Sequence, residues 1–197
     1  GLVGSEMCIR DRYNALDTIS WTAIGEGNEE VSEMTIALAE LLRATIKKES
    51  FISLREEMKT VKDYLLIQQK RFGDRIQAEY KVDERAYDCL VPNFILQPLI
   101  ENAIIHGLEP KIGNGEIFIE IRKVDSCLKF LIADNGVGMT EDEKEHLYTA
   151  CRENCDRQAI GLKNVYRRLL LCYGEESIPV VDSEEKQGTR ISFSIPC

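Results

Sequence analysis

The chain of 197 residues is 44% hydrophobic, enough for a sizeable core, and its length lies between one large domain and two small ones. A formal net charge of −9, with basic residues scattered among acidic ones, excludes a dense positive stripe for nucleic acid, and no apolar run reaches the ~20 residues that span a bilayer. Seven cysteines without the regular spacing of a secreted scaffold predict reduced thiols in a cytoplasmic compartment and no structural disulfide.

Residues 1–12 show neither helical nor strand periodicity, and the character of the chain changes at Tyr13, so this stretch is expected to be a disordered or non-native lead-in. Leu16, Ile19 and Trp21 then suggest a helix ending near Gly25 and Gly27. Asn28 is placed to cap a second helix, in which Val31, Met34, Leu38, Leu41, Leu42 and Thr45 recur at three- and four-residue steps. The result is a helical hairpin whose apolar stripe is either core or a dimer seam. Ser53-Leu-Arg-Glu56 reads as a capping box that opens a third helix, closed by Gly73. Residues 76–82 alternate as a half-exposed strand. Pro92 predicts a helix over 93–106 that ends at Gly107.

Strands are predicted at 116–123 and 127–133, the second running into Asp134-Asn-Gly-Val-Gly138. Residues 140–158 are polar and at most partly helical. His146, Cys151 and Cys155 fit no standard zinc spacing and read as incidental. An amphipathic helix over 160–173 precedes two strands, around 179–182 and 189–195. Adjacent strand pairs among the helices favour an α+β sandwich over a regularly alternating doubly wound sheet.

Several segments carry chemistry. Asp134-x-Gly-x-Gly138 leaves a strand with glycines where side chains would obstruct a ligand, although Asp-Asn-Gly is also a good hairpin turn. Asn102 and His106 lie four apart on a largely apolar helix, and Gly161 opens another helix with free N–H groups suited to phosphate. Gly188-Thr189 brings a hydroxyl to the start of the last strand.

In this order and spacing, Asn102, Asp134, Gly136, Gly138, Gly161 and Gly188-Thr189 resemble the ATP-binding fold shared by histidine kinases, type II topoisomerases, chaperone ATPases and mismatch-repair ATPases. Leu96-Gln-Pro-Leu-Ile-Glu-Asn-Ala103, His106-Gly107, Ile160-Gly-Leu-Lys-Asn-Val165 and Arg168-Leu169 narrow the resemblance to LytS/YesM-type sensor histidine kinases. It implies a two-layer α/β sandwich of the Bergerat type over 71–197, preceded by a partial helical dimerisation region over 13–70. It also implies a cofactor site for ATP and Mg²⁺, built from Asn102, His106, Asp134, Gly136, Gly138, Gly161, Leu162 and Thr189. Asn102 would offer Mg²⁺ an oxygen and Asp134 would accept the adenine amino hydrogen. Residues 140–158 would form a lid over the nucleotide. The implied partners are a response regulator and a second copy bound through the N-terminal helices. The implied location is the cytoplasmic part of a membrane-anchored sensor, with no membrane contact by this fragment.

The chain departs from that family in three places. Ile105 stands where related kinases often carry a lysine, and Ala159 stands where the second glycine box has a glycine. Arg10 aligns with the phosphate-accepting histidine, and the only histidines are His106 and His146. The resemblance therefore implies a protein histidine kinase that cannot phosphorylate itself. A nucleotide-binding dimeric regulator and, less strongly, an ATP hydrolase are the alternatives. The hydrolase is the weaker because Pro98 occupies the position of the water-activating glutamate, with Glu101 adjacent to Asn102.

Overall fold

The computed structural model describes residues 2–46, 49–152 and 160–197, with side chains over 14–45, 49–151 and 161–197. Its first helix, α1, spans Leu2–Gly25, so helical backbone replaces the disordered lead-in expected up to residue 12. Side-chain periodicity could not announce this, because adding residues to an existing helix costs little. The second helix, α2 (Glu29–Ile46), starts as expected at Asn28, whose Oδ1 accepts the Val31 N–H at 3.2 Å. The two helices meet at Ser20 and Ser32, which are buried and hydrogen-bonded at 3.0 Å, and Thr35, Ala37 and Ala39 of α2 are buried as well. The larger side chains Ile19, Trp21, Ile24, Val31, Ile36 and Leu38 stay exposed, while Met34, Leu41 and Leu42 of the apolar stripe are half-buried.

The strand β1 (Phe51–Ser53) leads into α3 (Leu54–Phe72), where Ser53 and Glu56 form the expected capping box. Leu54, Met58, Val61 and Leu65 share one core with the main sheet, while Lys59 and Lys70 pair with Glu40 and Glu30 of α2. The third helix is thus built into both halves of the molecule.

After β2 (Ile76–Val82), the short strand β3 (Leu90–Pro92) pairs antiparallel with β1. Pro92 therefore ends a strand, and the helix predicted from residue 93 begins later, as α4 (Gln97–Asn102). Phe94 takes φ 59°, a conformation incompatible with helix. A π-helical segment, Ala103–Leu108, continues α4, with the Glu109 N–H bonding to the Ile104 carbonyl at 2.8 Å.

The remaining elements are β4 (Gly115–Val124), β5 (Cys127–Asp134), α5 (Glu141–Arg152), α6 (Ile160–Tyr173), β6 (Val180–Glu184) and β7 (Gly188–Pro196). Five strands form a mixed sheet in the order β2-β4-β5-β7-β6, in which only the β2–β4 pair is parallel. Strand alternation sends Ile117, Ile119, Ile121, Phe130, Ile132 and Phe193 to the inner face, where Phe130 and Phe193 stack at 4.6 Å. Helices α3, α4 and α6 bury Leu65, Leu99, Ile100, Val165 and Leu169 in the same core. The expected α+β sandwich with a preceding helical hairpin is the fold observed.

One cysteine expectation is corrected. Cys89 and Cys197 form a disulfide with Cα atoms 5.9 Å apart. Spacing along the chain could not reveal it, because sheet pairing brings together residues separated by 108 positions. Cys155, Arg157 and Ala159 lie outside the described residues. Among the described residues, no group of three or more His, Cys, Asp or Glu side chains could hold a metal ion, and no helix is long and apolar enough to cross a membrane.

Candidate functional site

A cavity of about 420 Å³ opens between α4 with its π-helical extension, the inner face of the sheet, and α5 and α6. Ile132, Val181, Ile191, Leu162 and Met139 give it apolar walls suited to a flat ring, within the size range of small-molecule sites. Of the residues singled out in the sequence, Asn102, His106, Asp134, Gly138, Leu162 and Thr189 line it. Gly136 and Gly161 do not. They shape their neighbours instead.

Asp134 is the last residue of β5 and lies opposite Thr189 in the β5–β7 register. Its Oδ1 accepts the Gly136 N–H at 2.8 Å, and the Thr189 N–H also serves the carboxylate. Burial nevertheless pushes its pKa up to about 6, against these donors and the nearby Lys111 charge. An acceptor that is costly to ionise without a partner suits a ligand bringing its own N–H. The Lys111 ammonium bonds to the Asn135 carbonyl at 2.6 Å, bracing the same turn from outside.

The Asp134 turn is held by close backbone packing. A β-carbon on Gly136 would lie 2.4 Å from the Gly107 carbonyl carbon, and one on Gly107 would lie 2.7 Å from Asp134 Oδ1. The Val137 N–H donates to the Gly107 carbonyl at 3.0 Å. Gly138 takes φ 68° and leaves no room for a β-carbon against the Glu184 carbonyl. The turn is thereby seated on the β6–β7 hairpin, where the Lys186 N–H also donates to the Val137 carbonyl.

Ser183 joins these parts. Its buried hydroxyl donates to the Gly188 carbonyl at 2.9 Å, accepts the Met139 N–H at 3.0 Å and lies 2.9 Å from Thr189 Oγ1. With the Ser183 proton committed to Gly188, Thr189 donates to Ser183 and presents lone pairs elsewhere. Nothing in the linear sequence marks Ser183; only strand alternation places it inward on β6.

Asn102 ends α4, and a β-carbon on Gly161 would crowd its amide, at 3.3 Å from Oδ1. That amide has no hydrogen-bond partner among the described residues. His106 follows within the π-helical segment, a distortion common at functional sites. Ile105 is 47% exposed and does not line the cavity. From α5, Glu143 and His146 enter the lining, so the polar stretch expected as a lid supplies a helix to the site. Thr140 and Glu143 cap that helix reciprocally.

Two family models match the chain: "Histidine kinase" over residues 12–76, and "Histidine kinase-, DNA gyrase B-, and HSP90-like ATPase" over residues 92–197. Among curated proteins, the sensor histidine kinase YesM of Bacillus subtilis is 35% identical over 94% of this chain and 31% of its own length. The sensor histidine kinase YpdA of Escherichia coli is 33% identical over 93% of this chain and 32% of its own. The sensor protein LytS of Staphylococcus saprophyticus is 31% identical, again over 93% and 31%. The chain thus spans about a third of the length of these relatives. In fold it is similar to the histidine kinase domain of the Erythrobacter litoralis EL346 blue-light activated kinase, with TM-score 0.53 and 18% identity over 93% of this chain and 82% of that one. The catalytic domain of histidine kinase ThkA gives TM-score 0.55 and 20% identity over 76% of this chain and 97% of that one.

Proposed function

We propose, from the premise that the chain belongs to the histidine kinase family, that it holds Mg-ATP in this cavity for phosphoryl transfer to a histidine on a helical hairpin and onward to a response regulator. The observation that carries the reading is a single cavity lined by both Asp134, an acceptor seated among backbone N–H groups, and Asn102, whose amide oxygen is free for a hard cation. In this reading Asp134 takes the adenine amino hydrogen, and the apolar walls take the ring faces. Asn102 holds Mg²⁺, and His106 and Gly161 lie on the phosphate side. Bound Mg-ATP supplies the γ-phosphoryl group, and what the protein adds is positioning and charge neutralisation.

The arrangement disfavours hydrolysis as the main activity. Pro98 cannot activate water, and Glu101 accepts the Gln97 amide at 2.7 Å without lining the cavity. The exposed apolar side chains of α1 and α2 support a homodimer through the hairpin, of the kind that would sit in the cytoplasmic part of a membrane-anchored sensor. Residues 1–12 are read as foreign to the family, which leaves the chain without an acceptor histidine of its own. Sequencing the source gene upstream of Tyr13 tests this, and a genuine Ile-Arg-Asp-Arg there overturns it.

The deciding experiment mixes the full chain with Mg-ATP and a family hairpin that carries the histidine. Acid-labile phosphate on the hairpin is the expected result. Binding without transfer favours a nucleotide-switched dimeric regulator, and absence of binding overturns the reading.

A further inference from the structure

Glu57 is an acidic residue only 1% exposed, in the first turn of α3 on the face that packs into the core. A carboxylate in that setting needs strong compensation. It comes from backbone: Oε2 accepts the Phe94 N–H at 3.0 Å and Oε1 accepts the Leu96 N–H at 2.8 Å. Among the described residues Glu57 forms no ion pair. Burial pushes its pKa up, and the N–H groups of Leu96, Phe94, Ile95 and Gln97 pull it down.

These donors form the turn that opens α4. Leu96, the residue at its cap position, has no side-chain acceptor to offer, and Pro98 in the first turn has no N–H. Phe94 holds φ 59°, which a non-glycine residue adopts only when its surroundings impose it. Glu57 therefore supplies from another helix the cap that this turn lacks. The helix it starts runs six residues to Asn102 before passing into the π-helical segment, so the anchored turn is the end from which Asn102 is aimed. Wherever Glu57 seats the turn, Asn102 follows about 9 Å away at 1.5 Å per residue.

We propose that Glu57 is a positioning residue, whose buried carboxylate fixes the turn at residues 94–96 and thereby aims Asn102 into the nucleotide cavity. The inference rests on the reading of Asn102 as the Mg²⁺ ligand. It also gives α3 a route to the metal, because Lys59, two residues beyond Glu57, pairs with Glu40 of α2. A shift of the hairpin that carried α3 with it would move the carboxylate on which the aim of Asn102 depends.

The test measures affinity of the full chain for a non-hydrolysable ATP analogue, with Mg²⁺ and with EDTA, in wild type and Glu57→Gln. The amide keeps the size of the side chain but turns an NH₂ group toward one of the two N–H donors. The magnesium-dependent gain is expected to fall by about tenfold in the variant, the scale of a small misplacement, while affinity in EDTA stays within about twofold. Parallel loss under both conditions would mean a purely structural buried acid and overturn the proposal, as would no change in either. If the wild type shows analogue binding but no magnesium gain, the reading of Asn102 fails and this inference falls with it. Should Glu57→Gln not fold, Glu57→Asp keeps the charge and stops one methylene short. A partial, magnesium-selective loss there supports the proposal, and a parallel loss or none overturns it.

Discussion

Gly107 and Gly136 pack backbone to backbone, with a β-carbon on the second falling 2.4 Å from the carbonyl carbon of the first. One residue lies in the π-helical segment that runs on from Asn102 and the other in the Asp134 turn, so their contact sets the spacing between the two. Gly136→Ala is expected to destabilise the fold by about 1–3 kcal/mol, the usual cost of overpacking, and to weaken nucleotide binding at the same time. Gly25→Ala, where a β-carbon meets nothing within 4 Å, serves as the control. Thermal melting and analogue titration of both variants check this, and an unchanged Gly136→Ala melting temperature would count against the packing.

Asp134 predicts a pH dependence of binding. Its pKa is raised from 3.8 to about 6, so the native state without ligand holds that proton more tightly than the unfolded chain does. The stability contribution is therefore fully present below the unfolded value and is lost as pH rises through about 6. Adenine needs the ionised form, so affinity is expected to fall by about tenfold per pH unit below that point and to level off above it. Asp134→Asn is expected to cost about 1.5–3 kcal/mol of binding at neutral pH and to flatten this profile. Calorimetric titration between pH 5 and pH 8, run at about unit steps, measures both.

Asn102→Ala is expected to remove the magnesium-dependent gain in affinity while leaving binding in EDTA close to wild type. Asn102→Asp keeps a hard oxygen and should retain most of the gain. A variant series in which both substitutions behave alike would remove the metal from Asn102.

The disulfide predicts an effect of reductant. Peptide mapping without reductant is expected to find Cys89 linked to Cys197. Opening a closed loop of this length costs at most about 4.7 kcal/mol in the chain-entropy model, so melting should shift down on reduction. Cys197→Ser should melt alike with and without reductant.

The helices and strands that announce themselves by period were legible in the sequence. Ile117, Ile119 and Ile121 alternate inward as a strand requires, and Ser53 with Glu56 marks the start of α3 without help from tertiary structure. What was not legible depends on partners distant in the chain. Pro92 looked like a helix start because the carboxylate that caps the real one lies 39 residues away on α3, at Glu57. Ser183 carries no motif, and its importance arises from facing Thr189 and Met139. The glycines of the Asp134 motif were visible as such, but Gly136 makes room for Gly107, a part no linear pattern assigns.

The shared core of α3 also bears on how such proteins are recombined. A chimera that swaps input modules is most naturally cut where the sequence changes character, at the end of a helix near residue 70. Here that cut would sever Leu54, Met58, Val61 and Leu65 from the sheet they pack on and leave Glu57 behind with the wrong partner. A junction between α2 and β1 would carry α3 along with the nucleotide site as one transplantable unit, leaving the packing of α3 on α2 and its two charge pairs to be matched in the new host.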